Sequence, residues 1–290
     1  MKEIDSLIED ARKLNILKTD KDYRSRIEKA KFWEMTEHVF GMYNGRSVRK
    51  DIFVLIFRYL AMVFFLDDDL EQDERLLDRV YDELKTWEEF ENLEAKHPYS
   101  RFYISYVFIP LSGLTASDHL NRLVREHLRY MEGVKESLTV NCETGLDDYL
   151  QIRSKDIGVS QWWPFMLMIA EMPEDTPDPI PEDISKNIIL FVLLQNDVYS
   201  FEKEWKADIA NFLVLIQQKH SDWTLEQVLD FVYENYWIPC IQEIQNYLEK
   251  FSGDRALLNA FVNIMDGSDK WYFETNRYQS KTSPFSEFQI

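Results

Sequence analysis

Residues 47–69 read SVRKDIFVLIFRYLAMVFFLDDD. Phe53, Phe57, Leu60, Phe64 and Phe65 make the stretch apolar on most sides, so a helix here belongs at the centre of a fold rather than on its surface. Three aspartates follow abruptly. Residues 64–73 read FFLDDDLEQD, with Asp67 and Glu71 four apart and Asp69 and Asp73 likewise, so each pair shares a helix face. Asp68 lies alongside. Like charges this dense are unfavourable unless a cation neutralises them, and carboxylate oxygens select hard divalent ions such as Mg²⁺. An acidic helix end facing solvent is the ordinary explanation of such a run. Here the cluster terminates an almost wholly apolar helix, which keeps its first residues close to the core.

Outward from this helix the chain reads as further helices. The periodicity predicts them over Arg24–Tyr43, Ser47–Asp69, Glu71–Leu93, Thr115–Leu138, Thr144–Arg153, Ser160–Met172, Thr224–Glu249 and Ala256–Met265. Ile184–Gln217 is one helix or two in close succession. Phe102–Ile109 is short and apolar, and Pro110 is expected to end it. Asn44–Gly45 is a turn signal, and Pro173–Pro181 reads as a surface loop. Met1–Tyr23 is charged and weakly periodic, a candidate loosely packed cap. The last twenty residues are mostly polar and turn-like apart from Trp271–Phe273 and the pair Arg277–Tyr278. With no convincing strand the fold class is all-α, in one domain over residues 1–290, a helical bundle larger than four helices and able to surround a cavity.

Composition agrees. Eight glycines in 290 residues argue against designs rich in tight turns. Thirty-three basic and 52 acidic residues give a net charge of −19, which disfavours nucleic acid as a partner. A polyanion can still bind where metal ions intervene. The longest apolar stretch, Ile52–Leu66, is interrupted by Arg58 and is too short to span a bilayer. Cys142 and Cys240 form no zinc or CxxC pattern, and the charged amino-terminal segment has no signal-peptide character, so a reducing cytoplasmic setting without stable membrane association is expected.

A second polar array lies at 196–204, NDVYSFEKE. Asn196, Ser200 and Glu204 fall at i, i+4 and i+8, which lines a carbonyl oxygen, a hydroxyl and a carboxylate along one helix face. The three can chelate one divalent cation. Lys203 lies one step aside, able to reach an anion held by that cation. Asp197 is placed to orient a neighbour. Any long helix shows polar residues four apart, but the apolar run Ile188–Leu194 leads almost directly into Asn196, and a buried helix that turns polar along one stripe needs those groups paired.

With these two arrays on the page, the chain resembles a microbial-type class I terpene synthase. The family's aspartate-rich motif DDxx(D/E), with an aromatic three residues ahead, is similar to Phe64, Asp67, Asp68 and Glu71. Asp68, Asp69 and Asp73 give an alternative DDxxxD frame. Its second motif, ND(L/I/V)x(S/T)xx(K/R)E, is matched at every defined position by Asn196, Asp197, Val198, Ser200, Lys203 and Glu204. Arg153 in YLQIRSKDIG stands where the family carries a diphosphate-sensing arginine, with Asp156 and Ile157 at its linker and effector positions and Gly158 beyond. Trp271, Arg277 and Tyr278 are similar to the carboxyl-terminal signature.

The resemblance implies the class I terpenoid synthase fold, a bundle around a central active-site cavity. It implies an isoprenyl diphosphate substrate and three Mg²⁺ ions, held by Asp67, Asp68 or Glu71 on one side and by Asn196, Ser200 and Glu204 on the other. Arg153, Lys203, Arg277 and Tyr278 would bind the diphosphate. Phe64 and Trp271 would lead the aromatic walls that stabilise cationic intermediates, with Phe57, Trp163 and Phe191 as weaker choices. The expected activity is cyclisation of farnesyl diphosphate to a sesquiterpene, with geranylgeranyl diphosphate as the rival substrate and a homodimer as a further expected partner. A chain-elongating prenyl diphosphate synthase would carry a second DDxxD motif rather than the Asn/Ser/Glu array. An acidic helical interaction module would explain the composition but not four ordered motifs.

Overall fold

The all-round apolar stretch forms a 21-residue helix, Lys50–Leu70 (α4), in which Ile56, Phe57, Tyr59, Ala61, Met62 and Leu66 are completely buried. The helices immediately before and after it in the chain pack against it. The structure, a computed structural model, describes residues 2–17, 23–43, 45–70, 75–90, 95–141, 143–176, 180–207, 209–251 and 255–275. Glu71, Asp73, Cys142, Arg277 and Tyr278 lie outside the described residues.

Ahead of α4 come α1 (Lys2–Lys13), α2 (Tyr23–Ala30) and α3 (Phe32–Phe40). The α1 segment is not a loose cap. Ile4, Leu7, Ile8 and Ala11 are buried, and Arg58 of α4 donates from Nη2 to Ser6 Oγ at 2.7 Å and Asp10 Oδ2 at 2.9 Å. The helix predicted over Arg24–Tyr43 is broken at Lys31, whose left-handed φ of 52° redirects the chain between α2 and α3. Met42–Tyr43 (β1) and Arg46–Ser47 (β2) form a minimal antiparallel ladder, with Gly45 at φ 70°, while Asn44 of the expected turn lies outside the described residues.

After α4 follow α5 (Arg75–Phe90) and α6 (Pro98–Tyr103). Pro110 does not end the apolar segment here. A π-helical turn at Ile104–Phe108, in which the Ile109 N–H reaches back to the Ile104 carbonyl, carries the helix past it into α7 (Ile109–Ser112). The wider turn makes room for the proline ring and its missing donor. Next come α8 (Ser117–Ser137), α9 (Leu146–Asp156), α10 (Trp162–Ile169), α11 (Glu182–Ala207) and α12 (Phe212–Lys219). Ile184–Gln217 is thus two helices. Thr224 opens α13 (Leu225–Val232) with a reciprocal capping box, and a second π turn at Tyr233–Trp237 leads past Pro239 into α14 (Ile238–Lys250). The final helix, α15 (Arg255–Glu274), extends nine residues beyond the Met265 end predicted for it. Trp271–Phe273 are therefore helical.

Two packings position the site. The α15 helix lies against α3 and α11, and α8 lies against α9. At the second contact Gly133 is essential, because a Cβ there would sit 2.5 Å from Lys155 Cβ and 2.7 Å from the Asp156 backbone nitrogen. One continuous hydrophobic cluster runs from Ile4 to Tyr272. No helix of the described residues is long and apolar enough to cross a membrane.

Candidate active site

The carboxyl end of α4, the end of α9, the middle of α11 and the last turns of α15 converge on one cavity of about 390 Å³. Asp67, Arg153, Asn196, Ser200, Lys203 and Glu204 line its polar end. Phe64 and Asp67 of the first array and Asn196, Ser200 and Glu204 of the second, more than a hundred residues apart in sequence, thus share one space. Helix α9 ends at Asp156. Gly158, at φ 73°, turns the chain through Val159–Gln161 into α10, which brings Ile157, Gly158 and Trp162 to the wall.

The three aspartates part company. Asp67 is exposed into the cavity. Asp68 faces a neighbouring recess, where Arg26 of α2 donates from Nη2 to its Oδ2 at 2.5 Å. Arg26 is itself held over the rings of Tyr23 and Phe65 at 5.5 and 5.4 Å. Asp69 accepts from the Tyr99 hydroxyl at 2.8 Å. Successive residues of a helix point about 100° apart, so only one of three adjacent side chains can face the cavity squarely.

The second array lies as its spacing predicts, along one stripe of α11. Ser200 Oγ is 2.8 Å from Glu204 Oε2 and 2.7 Å from the Asn196 carbonyl oxygen. Asn196 accepts at Oδ1 from Arg153 Nη2 at 3.0 Å and donates from Nδ2 to the Tyr272 hydroxyl at 3.0 Å. Arg153 also donates to Asp156 at 2.5 Å and to Asp197 at 3.4 Å. Asp197 is fully buried and ties three elements, accepting from the Tyr149 hydroxyl at 2.6 Å and from the Phe212 N–H at 3.0 Å as well.

The electrostatics follow from this crowding. Burial pushes the Asp156 carboxyl up to about 6, against the pull of Arg153. Burial, followed by the nearby Asp197, raises the Glu204 carboxyl, while Asn211, Arg153 and Ser200 oppose it. Arg153 is desolvated, yet its anionic neighbours hold its pKa above the ordinary value. Among the described residues no group of three acidic, histidine or cysteine side chains is placed to hold a metal ion by itself. The candidate donors are an amide carbonyl, a hydroxyl and a carboxylate, with Asp67 in the same cavity. Oxygen ligands of this kind fit a hard divalent cation and not a soft one.

The cavity's other walls are aromatic and aliphatic. Phe64 stacks on Phe32 at 4.5 Å and leans against Trp271 at 5.7 Å. The Trp271 indole N–H donates to the Ala30 carbonyl oxygen at 2.7 Å. Trp162 lines the wall, whereas Trp163 faces a separate surface pocket beside Arg122 and Arg125. Phe57 is packed against Trp33 and Phe191 against Trp237, both inside the core and off the cavity. Tyr130, Trp162, Asn211 and Tyr272 were not expected from sequence. Asn211 directly precedes the apolar run Phe212–Ile216, a helix-start signal that could have singled it out.

The family model for terpene synthase family 2, C-terminal metal binding, matches residues 58–236. Terpene synthase 1 of Tieghemostelium lacteum is 29% identical over 162 residues, 50% of this chain and 44% of that protein. Terpene cyclase braA of Annulohypoxylon truncatum is 24% identical over 268 residues, 82% of this chain and 71% of that protein. The chain thus spans less than half of the first of these relatives. Among solved structures, linalool/nerolidol synthase from Streptomyces clavuligerus in complex with 2-fluorogeranyl diphosphate superposes with a TM-score of 0.72 at 14% identity, covering 93% of this chain and 97% of that one. Germacradien-4-ol synthase from Streptomyces citricolor gives 0.68 at 13% identity, covering 97% and 92%. These structures share the all-helical fold, and the family match covers most of the chain, including both polar arrays. The chain belongs to the terpene synthase family 2, C-terminal metal-binding family.

Proposed function

We propose that this protein is a Mg²⁺-dependent terpene cyclase that ionises an isoprenyl diphosphate, farnesyl diphosphate first among them, and closes the resulting cation to a sesquiterpene. The observation that carries the reading is the meeting of Asp67 and the stripe Asn196, Ser200, Glu204 in one cavity with Arg153 and Lys203 at their side and with Phe64, Trp162 and Trp271 as walls.

Asp67 would hold cations on one side of the cavity, and Asn196, Ser200 and Glu204 on the other. Bound there, Mg²⁺ supplies positive charge that neutralises the diphosphate, and the resemblance implies three such ions. Arg153 and Lys203 donate charge-assisted hydrogen bonds to diphosphate oxygens, which stabilises the charge that develops as the C–O bond breaks. Asp156 holds the Arg153 guanidinium in place. Asp68, paired with Arg26, would have to leave that partner to join Asp67. The aliphatic and aromatic lining excludes water, which would quench the cation early. Each aromatic face contributes roughly 0.5–2 kcal/mol to a cation held over it. The 2-fluorogeranyl diphosphate in the Streptomyces clavuligerus structure supports an isoprenyl diphosphate as the substrate class.

We further propose that residues 1–290 form one catalytic domain, that the protein works in the cytoplasm and that it forms a homodimer, the last measurable by light scattering. Geranylgeranyl diphosphate is the alternative substrate. Incubation with geranyl, farnesyl and geranylgeranyl diphosphates, with and without Mg²⁺, tests the whole reading by diphosphate release and gas chromatography. Mg²⁺-dependent release with cyclic products from the C15 substrate is expected. No release from any of the three overturns it, and turnover of the C20 substrate alone moves the reading to a diterpene synthase.

A further inference from the structure

Asn211 belongs to neither motif, yet it is completely buried beside the α11 stripe. It is the N-cap of α12, where its Oδ1 accepts from the Leu213 N–H at 2.9 Å. Its Nδ2 donates the other way, to Glu204 Oε2 at 2.6 Å and to the Asp197 carbonyl oxygen at 2.7 Å, with Ser200 Oγ at 3.4 Å. An amide nitrogen carries two hydrogens, and these two acceptors take both. The orientation of the amide is settled by its surroundings, because the group facing the Leu213 N–H must be the oxygen.

We propose that Asn211 is a positioning residue for the cation site, gripping Glu204 Oε2 so that Oε1 is presented to the metal. This rests on the reading of Asn196, Ser200 and Glu204 as ligands. The fold supports it independently. The connection between α11 and α12 is only four residues long, and the Phe212 N–H is anchored on Asp197 Oδ2 at 3.0 Å, so the start of α12 is locked against the stripe. A free glutamate near a helix end samples many rotamers and loses that freedom on binding a metal. Here the hydrogen bonds from Asn211 and Ser200 already limit that freedom. Partners of this kind behind a ligand typically change metal affinity by about 10–100-fold when removed.

Helix capping and ligand positioning are separable by substitution. Serine caps about as well as asparagine, but its side chain is too short to reach Glu204. Asn211→Ser should therefore keep a thermal midpoint near that of the parent while its affinity for Mn²⁺ in the presence of inorganic diphosphate, read by electron paramagnetic resonance, falls about 10–100-fold. The Mg²⁺ concentration for half-maximal diphosphate release should rise in parallel, with kcat recovered at saturating metal. Asn211→Ala should lose metal affinity to the same degree and lower the midpoint as well. Parental Mn²⁺ affinity in Asn211→Ser overturns the proposal, as does a loss of affinity confined to Asn211→Ala, which would reduce the residue to a cap. If Asn211→Ser does not fold, Asn211→Thr supplies another neutral hydroxyl cap too short to reach Glu204, and parental Mn²⁺ binding by it overturns the proposal. A parent chain that neither binds Mn²⁺ with diphosphate nor releases diphosphate from any isoprenyl substrate overturns the ligand reading itself, whatever the variants do.

Discussion

The indole nitrogen of Trp271 donates to the backbone oxygen of Ala30 at 2.7 Å, across 241 residues of sequence. That carbonyl is available because the chain breaks at Lys31, and Thr275 Oγ1 donates to it too, at 3.0 Å. The bond fixes the indole plane beside Phe64, so one aromatic wall of the cavity is oriented by a helix break. Trp271→Phe keeps an aromatic ring but removes the donor. It should retain Mg²⁺ dependence and most of its turnover while shifting the product mixture. Phe64→Ala should likewise alter products more than metal affinity. Gas chromatography of both variants checks this, and an unchanged product profile in an active variant counts against either residue as a wall.

Removing a proposed ligand should act on chemistry rather than fold. Asn196→Ala or Glu204→Ala is expected to lower kcat by on the order of 10²–10³-fold or more, the range seen when one pre-organised charge-stabilising contact is lost. Stability should change by no more than roughly 1–3 kcal/mol, the range for leaving a buried hydrogen-bonding group unpaired. Single-turnover diphosphate release together with denaturant melts separates the two effects. Turnover near the parental rate would rule out the ligand assignment.

His127 predicts a pH dependence of stability. Its ring is buried among Tyr59, Tyr103 and Tyr130, its Nδ1 lies 2.8 Å from the Tyr59 hydroxyl, and burial pushes its pKa down to about 3. Above the unfolded value, near 6.5, the ring is neutral in both states and makes no pH-dependent contribution. Between about 6.5 and 3 the unfolded chain takes up a proton that the native one refuses, so stability falls with falling pH, by up to about 1.4 kcal/mol per unit. His127→Gln should flatten that slope relative to the parent in urea melts from pH 7 to pH 4. Parallel slopes would show that the histidine is not held neutral.

Gly133 is predicted to act on catalysis from a distance. Alanine there drives a methyl group into Lys155 and the Asp156 backbone, so α8 and α9 must separate. Overpacking of this kind destabilises by typically 1–3 kcal/mol. Because Arg153 sits on α9, Gly133→Ala should also lower turnover of an isoprenyl diphosphate. Calorimetry and kinetics on one preparation test both, and full activity with a lowered melting temperature would separate the helix contact from the arginine.

What was legible in the sequence was what repeats locally. The helical stripe of Asn196, Ser200 and Glu204 needs only the geometry of one helix, and α4 announced its central place by having no polar face. What was hidden depended on partners far away in the chain. The turning of Asp68 out of the cavity follows from Arg26, 42 residues earlier. Trp162 and Trp163 are adjacent and chemically identical, and only the placement of α10 decides which one meets the cavity. Pro110 reads as a stop signal because sequence rules assume the ordinary turn, whereas a π turn absorbs it. The burial of α1 was masked by its many charges, which occupy one face while Leu7 and Ala11 occupy the other.

That first helix bears on how the protein can be produced. Arg58, the one charge inside the apolar span of α4, is sheltered by Ser6 and Asp10 of α1, and its side chain is only 11% exposed. An expression boundary drawn after α1, as the charged amino terminus invites, would uncover an apolar strip on the most central helix and leave that guanidinium without its carboxylate. Exposed strips of this kind promote self-association. Affinity tags are accordingly better joined ahead of α1 through a flexible spacer than substituted for it, and poor solubility in a shortened form would be a fault of the boundary rather than of the fold.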